Sequence, residues 1–179
     1  VRMGMLHDAV RRIAAGPKPV VAAVEGHAAG AGMSLAAACD YVVAAENARF
    51  IASFAKIGLI ADCGLLWSLP HRVGHARARD LLLTARTVNA DEALRLGLAN
   101  EVVAPGATLA RAIEKARSYA TSAPLSIAWT KRALAGELDD LDAALKKELQ
   151  WQGELRGTQD HQEARDAFLQ KRSPVFQGR

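Results

Sequence analysis

The stretch Ala28-Ala29-Gly30-Ala31-Gly32-Met33-Ser34-Leu35 limits the fold of this chain more than any other. It follows a valine-rich apolar run, residues 19–24 (PVVAAV), and opens into residues 35–39 (LAAAC), which favour a helix. A strand, a glycine-rich turn and a helix, in that order, aim free backbone N–H groups at whatever sits above the turn. Gly30, Ala31 and Gly32 are small enough to let a ligand approach the main chain, and glycine takes φ values that other residues resist. Such a turn can cradle a phosphate or stabilise an oxyanion. A second stretch, Gly58-Leu59-Ile60-Ala61-Asp62-Cys63-Gly64, supplies one carboxylate among small and apolar residues. An oxyanion site beside an isolated carboxylate suits proton transfer next to a carbonyl. Asp62 equally suits the N-cap of a helix over the residues that follow.

A length of 179 residues is enough for one domain with a real core and not clearly enough for two. Half the residues are hydrophobic and 23% are charged, the profile of a soluble globular protein. Aromatic residues make up 5%, so alanine-rich helices must pack closely through small side chains. The net charge of +4 is mild and scattered. It tolerates an anionic ligand but lacks the dense basic face that nucleic acid needs. Cys39 and Cys63 form no CxxC pair and no metal-type spacing with histidine, so neither a disulfide nor a metal site is expected. Cys39 reads as core, and Cys63 as a residue at the edge of the pocket. No apolar run reaches membrane-spanning length and no signal peptide opens the chain, which makes the cytoplasm the expected location.

Taken in order, residues 1–15 have helical spacing, stopped by Gly16 and Pro17, and begin without a cap. A buried strand is expected over 20–25, the glycine turn over 26–32, a helix to Cys39, and a second buried strand over 41–45, which together make one βαβ unit. A short strand over 48–51 precedes a turn of helix over 52–57. Helices follow over 64–72 and 76–86, and Asn89 and Gly97 cap a short one between them. The last strand is 98–103. The remainder is helical: 108–120, 124–134, 139–156, and one capped by Thr158 that runs to about 170. His71 and His75 read as surface, and Trp67, Trp129 and Trp151 as core or subunit interface.

These pieces resemble the crotonase (enoyl-CoA hydratase/isomerase) superfamily. The resemblance is carried by Lys18–Gly26 (KPVVAAVEG), His27–Ala36 (HAAGAGMSLA), Cys39-Asp40 and Gly58–Gly64 (GLIADCG). Thr87–Ala93 (TVNADEA), Gly97-Leu98 and the tail Ala167–Phe176 (AFLQKRSPVF) complete it. It implies an α/β fold of the ClpP/crotonase type, a superhelix of stacked βαβ turns. On that pattern residues 1–105 form the C-terminal part of the crotonase core and 106–179 a helical region that packs subunits into a homotrimer or hexamer. It also implies a CoA thioester whose carbonyl oxygen accepts two backbone N–H bonds, stabilising an enolate, and one donor maps to Ala31. Gly30, Gly32, Ile60 and His27 would line the substrate. Phe168 and Lys171 would serve the adenine end of CoA bound to a neighbouring subunit. Coenzyme A is then part of the substrate; no separate cofactor, metal, nucleic acid or membrane is implied.

Three departures narrow the chemistry. Hydratases of the family carry one glutamate on the helix after the glycines and another in the following loop; here Ser34 and Phe54 stand at those positions. Asp62 stands where certain isomerase-type members place their acid/base, and the local sequence is most like the isomerases of phenylacetyl-CoA degradation, which act on ring-epoxide and unsaturated acyl-CoAs. The family's sheet-rich N-terminal region, which supplies the other oxyanion donor, is not in this sequence, and its Gly-Gly-Thr after the acid reads Gly64-Leu65-Leu66. The expected activity is therefore acyl-CoA isomerisation, with Asp62 as acid/base. A hydratase using a different carboxylate and a catalytically inactive acyl-CoA-binding subunit are the alternatives.

Overall fold

The computed structural model describes residues 2–137 and 140–179. Compactness divides the chain into two units, Val1–Ile13 with Val20–Lys115 and Ala14–Pro19 with Ala116–Arg179. The division falls inside helix α6 (Thr108–Tyr119).

The first unit is built on two small sheets. In one, β1 (Val21–Val24) pairs in parallel with β3 (Tyr41–Ala45), and β3 pairs in parallel with β6 (Glu101–Val103). In the other, β2 (His27–Ala29) pairs in parallel with β4 (Arg49–Ile51), which pairs antiparallel with β5 (Thr87–Asn89). Helix α2 (Ala31–Ala38) makes the crossover from β1 to β3. Four of the five residues of β3 are buried, as expected of a strand covered on both faces. Two polar braces hold the register. The Asp40 carboxylate accepts from Val20 N at 2.7 Å, and the Asn100 amide accepts from Val42 N at 2.8 Å.

The expected turn over 26–32 is corrected: β2 lies inside it. Its His-Ala-Ala sequence has little strand preference of its own, and it is extended because β4 offers it a ladder. The same holds for β5, of which the sequence announced only Asn89 as a helix cap. Helix α1 (Arg2–Ala15) precedes the sheets. A short 3-10 helix, Ser53–Ile57, leads from β4 towards α3 (Leu65–Val73) and α4 (His75–Thr84). As its sequence predicts, α5 (Ala90–Leu96) starts at Asn89, whose side chain accepts from Glu92 N, and stops at Gly97 with φ +81°. Phe50, Met33, Leu65, Leu69, Leu81 and Leu98 are the largest fully buried side chains of this core.

The second unit is helical. It contains α7 (Pro124–Arg132), α8 (Leu141–Arg156) and α9 (Gln159–Leu169). Asp140 caps α8 and Thr158 caps α9. Trp129 and Trp151 pack in a tilted arrangement with ring centroids 5.8 Å apart. The chain beyond α9 is strapped back along it: the Asp160 carboxylate accepts from Gln177 N and Gly178 N, and Glu163 accepts from Val175 N.

Candidate active site

The glycine turn is a strand-to-helix joint whose shape only glycine accommodates comfortably. Gly30 has φ +52° and ψ −120°, and its N–H donates to Ile51 O at 2.9 Å, tying the turn to the end of β4. Helix α2 begins at once, and its first ladder bond runs from Ser34 N to Gly30 O at 3.0 Å. The N–H groups of Ala31, Gly32 and Met33 therefore have no carbonyl four residues back to serve. Ala31 and Gly32 are exposed. An acceptor oxygen set over this end meets unshielded donors and roughly half a positive charge from the helix dipole. Ser34 is wholly buried, with its hydroxyl donating to Gly30 O at 3.2 Å, so it braces the turn from inside and faces no ligand.

Asp62 follows on a second turn. It does not cap α3: that helix starts at Leu65, its N-cap is Gly64, and no side chain makes a cap bond there. The structure thus removes the alternative that the sequence left open. Leu65 N instead donates to Asp62 O at 3.0 Å, closing a tight turn over Cys63 and Gly64. Both central residues have positive φ, +49° and +76°. Asp62 is half-buried, and its Oδ1 is buried without a hydrogen-bond partner among the described residues. A carboxylate oxygen in that state is costly unless a ligand proton comes to it. Cys63 is fully buried beneath the turn with Val10 and Ala38, which corrects its expected place at the pocket edge. Burial, then the hydrogen bond and charge of Asp62, push its thiol up.

A groove of about 410 Å³ runs between the segment before Asp62 and helices α3 and α4. Phe54, Ala55, Leu59, Ile60 and Ala61 form one wall, and α3 and α4 supply Leu66, Pro70, His75, Ala78, Arg79, Leu82 and Leu83. Phe54 reaches both parts of the site, because its ring also approaches to 3.8 Å of the point where Gly30 would carry a Cβ. Ile60 and Ala61 lie in the wall directly before Asp62. Of the residues singled out in the sequence, Ile60 lines this apolar cleft, while Gly30 and Asp62 are not among its lining residues.

Other residues singled out in the sequence are elsewhere. His27 is exposed at the start of β2, opposite Arg49, and does not line the groove. Phe168, 82% exposed, and Lys171, with φ +54°, belong to the helical unit. His75, read as plain surface, lines the groove together with Arg79 and Leu82, at the i, i+4, i+7 spacing of one helix face. That spacing was the available signal, and it reads the same for a face turned to solvent.

Residues 3–179 match the family model described as Enoyl-CoA hydratase/isomerase. The chain is 41% identical over 171 residues to the 1,2-epoxyphenylacetyl-CoA isomerase of Escherichia coli (strain K12), covering 95% of this chain and 65% of that protein. It is 38% identical over 173 residues to the short-chain-enoyl-CoA hydratase of Clostridium acetobutylicum, covering 96% and 66%. The chain therefore spans about two thirds of the length of these curated relatives. Among solved structures, an enoyl-CoA hydratase from Polaromonas sp. JS666 superposes with TM-score 0.90 at 37% identity, over 98% of this chain and 68% of that one. The enoyl-CoA hydratase from Bacillus anthracis gives TM-score 0.92 at 32% identity, over 99% and 69%.

Proposed function

The chain belongs to the enoyl-CoA hydratase/isomerase family and has its crotonase fold, and we propose that it is an acyl-CoA isomerase, moving a double bond or opening a ring epoxide. The observation that carries this reading is the state of the acidic side chains. Between Glu46 and Asp80 the sequence has one carboxylate, Asp62, and its Oδ1 is buried without a partner among the described residues. Ser34 and Phe54, at the positions where the resemblance puts a hydratase's glutamates, are a buried hydroxyl committed to Gly30 O and an apolar groove wall. Neither can activate water.

The mechanism follows from charge. The thioester oxygen rests on the Ala31 N–H, and Asp62 removes a proton from carbon on one side of the carbonyl. The electrons move onto the oxygen, giving an enolate that the donor turn stabilises; a preorganised donor of this kind lowers a barrier by roughly 2.7–4 kcal/mol. Asp62, now protonated, returns the proton two carbons away, and no water is added. The apolar groove suits a hydrocarbon or aryl acyl group. Gly32 and Ile60 contact the substrate in this proposal, and Phe168 and Lys171 serve the adenine end of CoA bound to a neighbouring subunit. No cofactor beyond the CoA of the substrate takes part.

The relatives' names are divided between isomerase and hydratase, so the deciding experiment is product analysis. In heavy water an enoyl-CoA should return with its double bond shifted; a 3-hydroxyacyl product would make the protein a hydratase. We further propose a homotrimer or hexamer in the cytoplasm. Leu141, Leu145 and Leu149, spaced by four along α8, are 72%, 52% and 81% exposed, and no described helix is long and apolar enough to cross a membrane. Sedimentation that returned a monomer at micromolar concentration would sink the assembly.

A further inference from the structure

Two side chains in the wall of the groove do not match the rest. Ten of its twelve lining residues are apolar, and the two polar ones, His75 and Arg79, lie one turn apart on α4. No acidic residue lines it. His75 begins α4, whose N-cap, Gly74, makes no side-chain cap bond, so the positive end of that helix falls at the same place. The polar part of the groove is thus of one sign.

Arg79 also differs from the arginines that brace this unit. Arg72 donates to Ala37 O and Cys39 O, and Arg86 reaches the carboxylates of Asp80 and Glu92. Arg79 has no hydrogen bond or ion pair among the described residues, and the acid next to it, Asp80, is taken by Arg86 at 2.9 Å. Arg77 on the same helix is as free, but it lies outside the groove and is an ordinary solvated charge. An exposed guanidinium in the groove keeps its water until something fills the space beside it. An occupant that is hydrocarbon throughout would displace that water and return nothing, whereas one that ends in an oxygen anion would pair with the guanidinium fork. The groove also adjoins the donor turn: α4 packs on the 3-10 helix that carries Phe54, and that ring comes within 3.8 Å of the Cβ point of Gly30. Its volume of about 410 Å³ is near the low end for small-ligand pockets, which suits an acyl group.

We propose that His75 and Arg79 are specificity residues for an acyl group that ends in a carboxylate, so that the substrates are ω-carboxyacyl-CoA thioesters. The inference rests on the reading of the groove as the place of the acyl group. The hydrocarbon part lies against Phe54 and the apolar wall, and the terminal carboxylate accepts two N–H bonds from Arg79 and one from His75. Bonds between ions of this kind favour the carboxylate-ended chain over a methyl-ended one of equal length by about tenfold or more. A phosphate of CoA would suit the same cations, but it would bring charge and no hydrocarbon to the ten apolar residues around them.

The test is a calorimetric titration of the full chain with two saturated, unreactive thioesters of equal length, a medium-chain acyl-CoA and its ω-carboxyl counterpart. The carboxylate-ended ligand should bind at least about tenfold more tightly. Arg79→Ala should abolish most of that preference, Arg79→Lys should keep part of it because the charge stays and the fork is lost, and His75→Ala should lower it less than Arg79→Ala. Arg79 makes no bond among the described residues, so the thermal unfolding of its variants should stay close to that of the parent chain. Equal binding of the two ligands, or a preference that survives Arg79→Ala, would overturn the assignment. So would a loss in Arg79→Ala that falls equally on both ligands, which would set the guanidinium against a CoA phosphate. Binding of a saturated thioester requires no turnover, so the two readings fail separately. If both ligands bind alike, only this inference fails; if neither binds, the acyl-CoA reading fails with it.

Discussion

The point where Gly30 would carry a Cβ lies 3.3 Å from Ser53 Oγ, tighter than side chains normally pack. The donor turn and the wall of the groove are thus fitted to each other at a glycine. Gly30→Ala meets this contact and a φ of +52° with ψ −120°, a combination that costs an L-residue about 1–3 kcal/mol. Unfolding in urea should show a loss of that order, and kcat should fall by more than about tenfold because the Ala31 N–H shifts with the turn. A variant with wild-type kcat would separate the turn from catalysis.

Asp62→Asn keeps the shape of the side chain and removes its charge. Because the buried Oδ1 has no partner among the described residues, the substitution breaks no described bond at that atom. Stability should therefore hold or rise slightly. Turnover should fall at least about a hundredfold, while affinity for an unreactive acyl-CoA analogue stays nearly intact. Equal loss of affinity and turnover would make Asp62 a binding residue instead.

Where local chemistry alone decides an element, the sequence was enough. Asn89 and Gly97 carry their own capping geometry, and the unbroken apolar run Tyr41–Ala45 can only be a covered strand. β2 and β5 were illegible because strands of three residues take their conformation from a partner, here β4, and not from themselves. At the site, Asp62 stood out as an isolated carboxylate, but its role as a cap was equally readable. What decides between them is the left-handed conformation of Cys63, and no local preference of cysteine announces that. The groove face of α4 was missed for a related reason: an amphipathic spacing does not say whether the face meets solvent or ligand.

Glu163 makes a pH-dependent clasp in the second unit. The Arg172 guanidinium first, then the Val175 N–H, hold its carboxyl at about 2, below its reference value of 4.5. A depressed carboxylate stabilises the folded state above its unfolded pKa, and that contribution is lost as pH falls through the folded value. The strap from Arg172 to Val175 should thus hold at neutral pH and loosen progressively from about pH 4.5 towards 2. Hydrogen exchange at the Val175 amide checks this. In Glu163→Gln the protection should be weaker at pH 7 and no longer change across that window; an unchanged profile would assign it to another group.

Arg72 acts at the far end of α2 from the donor turn. Its Nε donates to Ala37 O at 2.7 Å, one Nη donates to Cys39 O, and the other approaches Asn100 Oδ1 at 3.4 Å. One guanidinium from α3 thereby satisfies carbonyls at the C-terminus of α2, where a cation is also favoured by the helix dipole. Lysine offers a single point of donation and cannot serve these directions together. Arg72→Lys should cost about 1–3 kcal/mol in urea unfolding, and Arg72→Ala at least as much. The proposed donor, Ala31 N–H, is held at the opposite end, by Gly30 N on Ile51 O, so kcat per folded molecule should change by less than about threefold. A large drop in kcat with little loss of stability would mean that the orientation of α2 is transmitted along its length, and that the donor turn is not positioned locally.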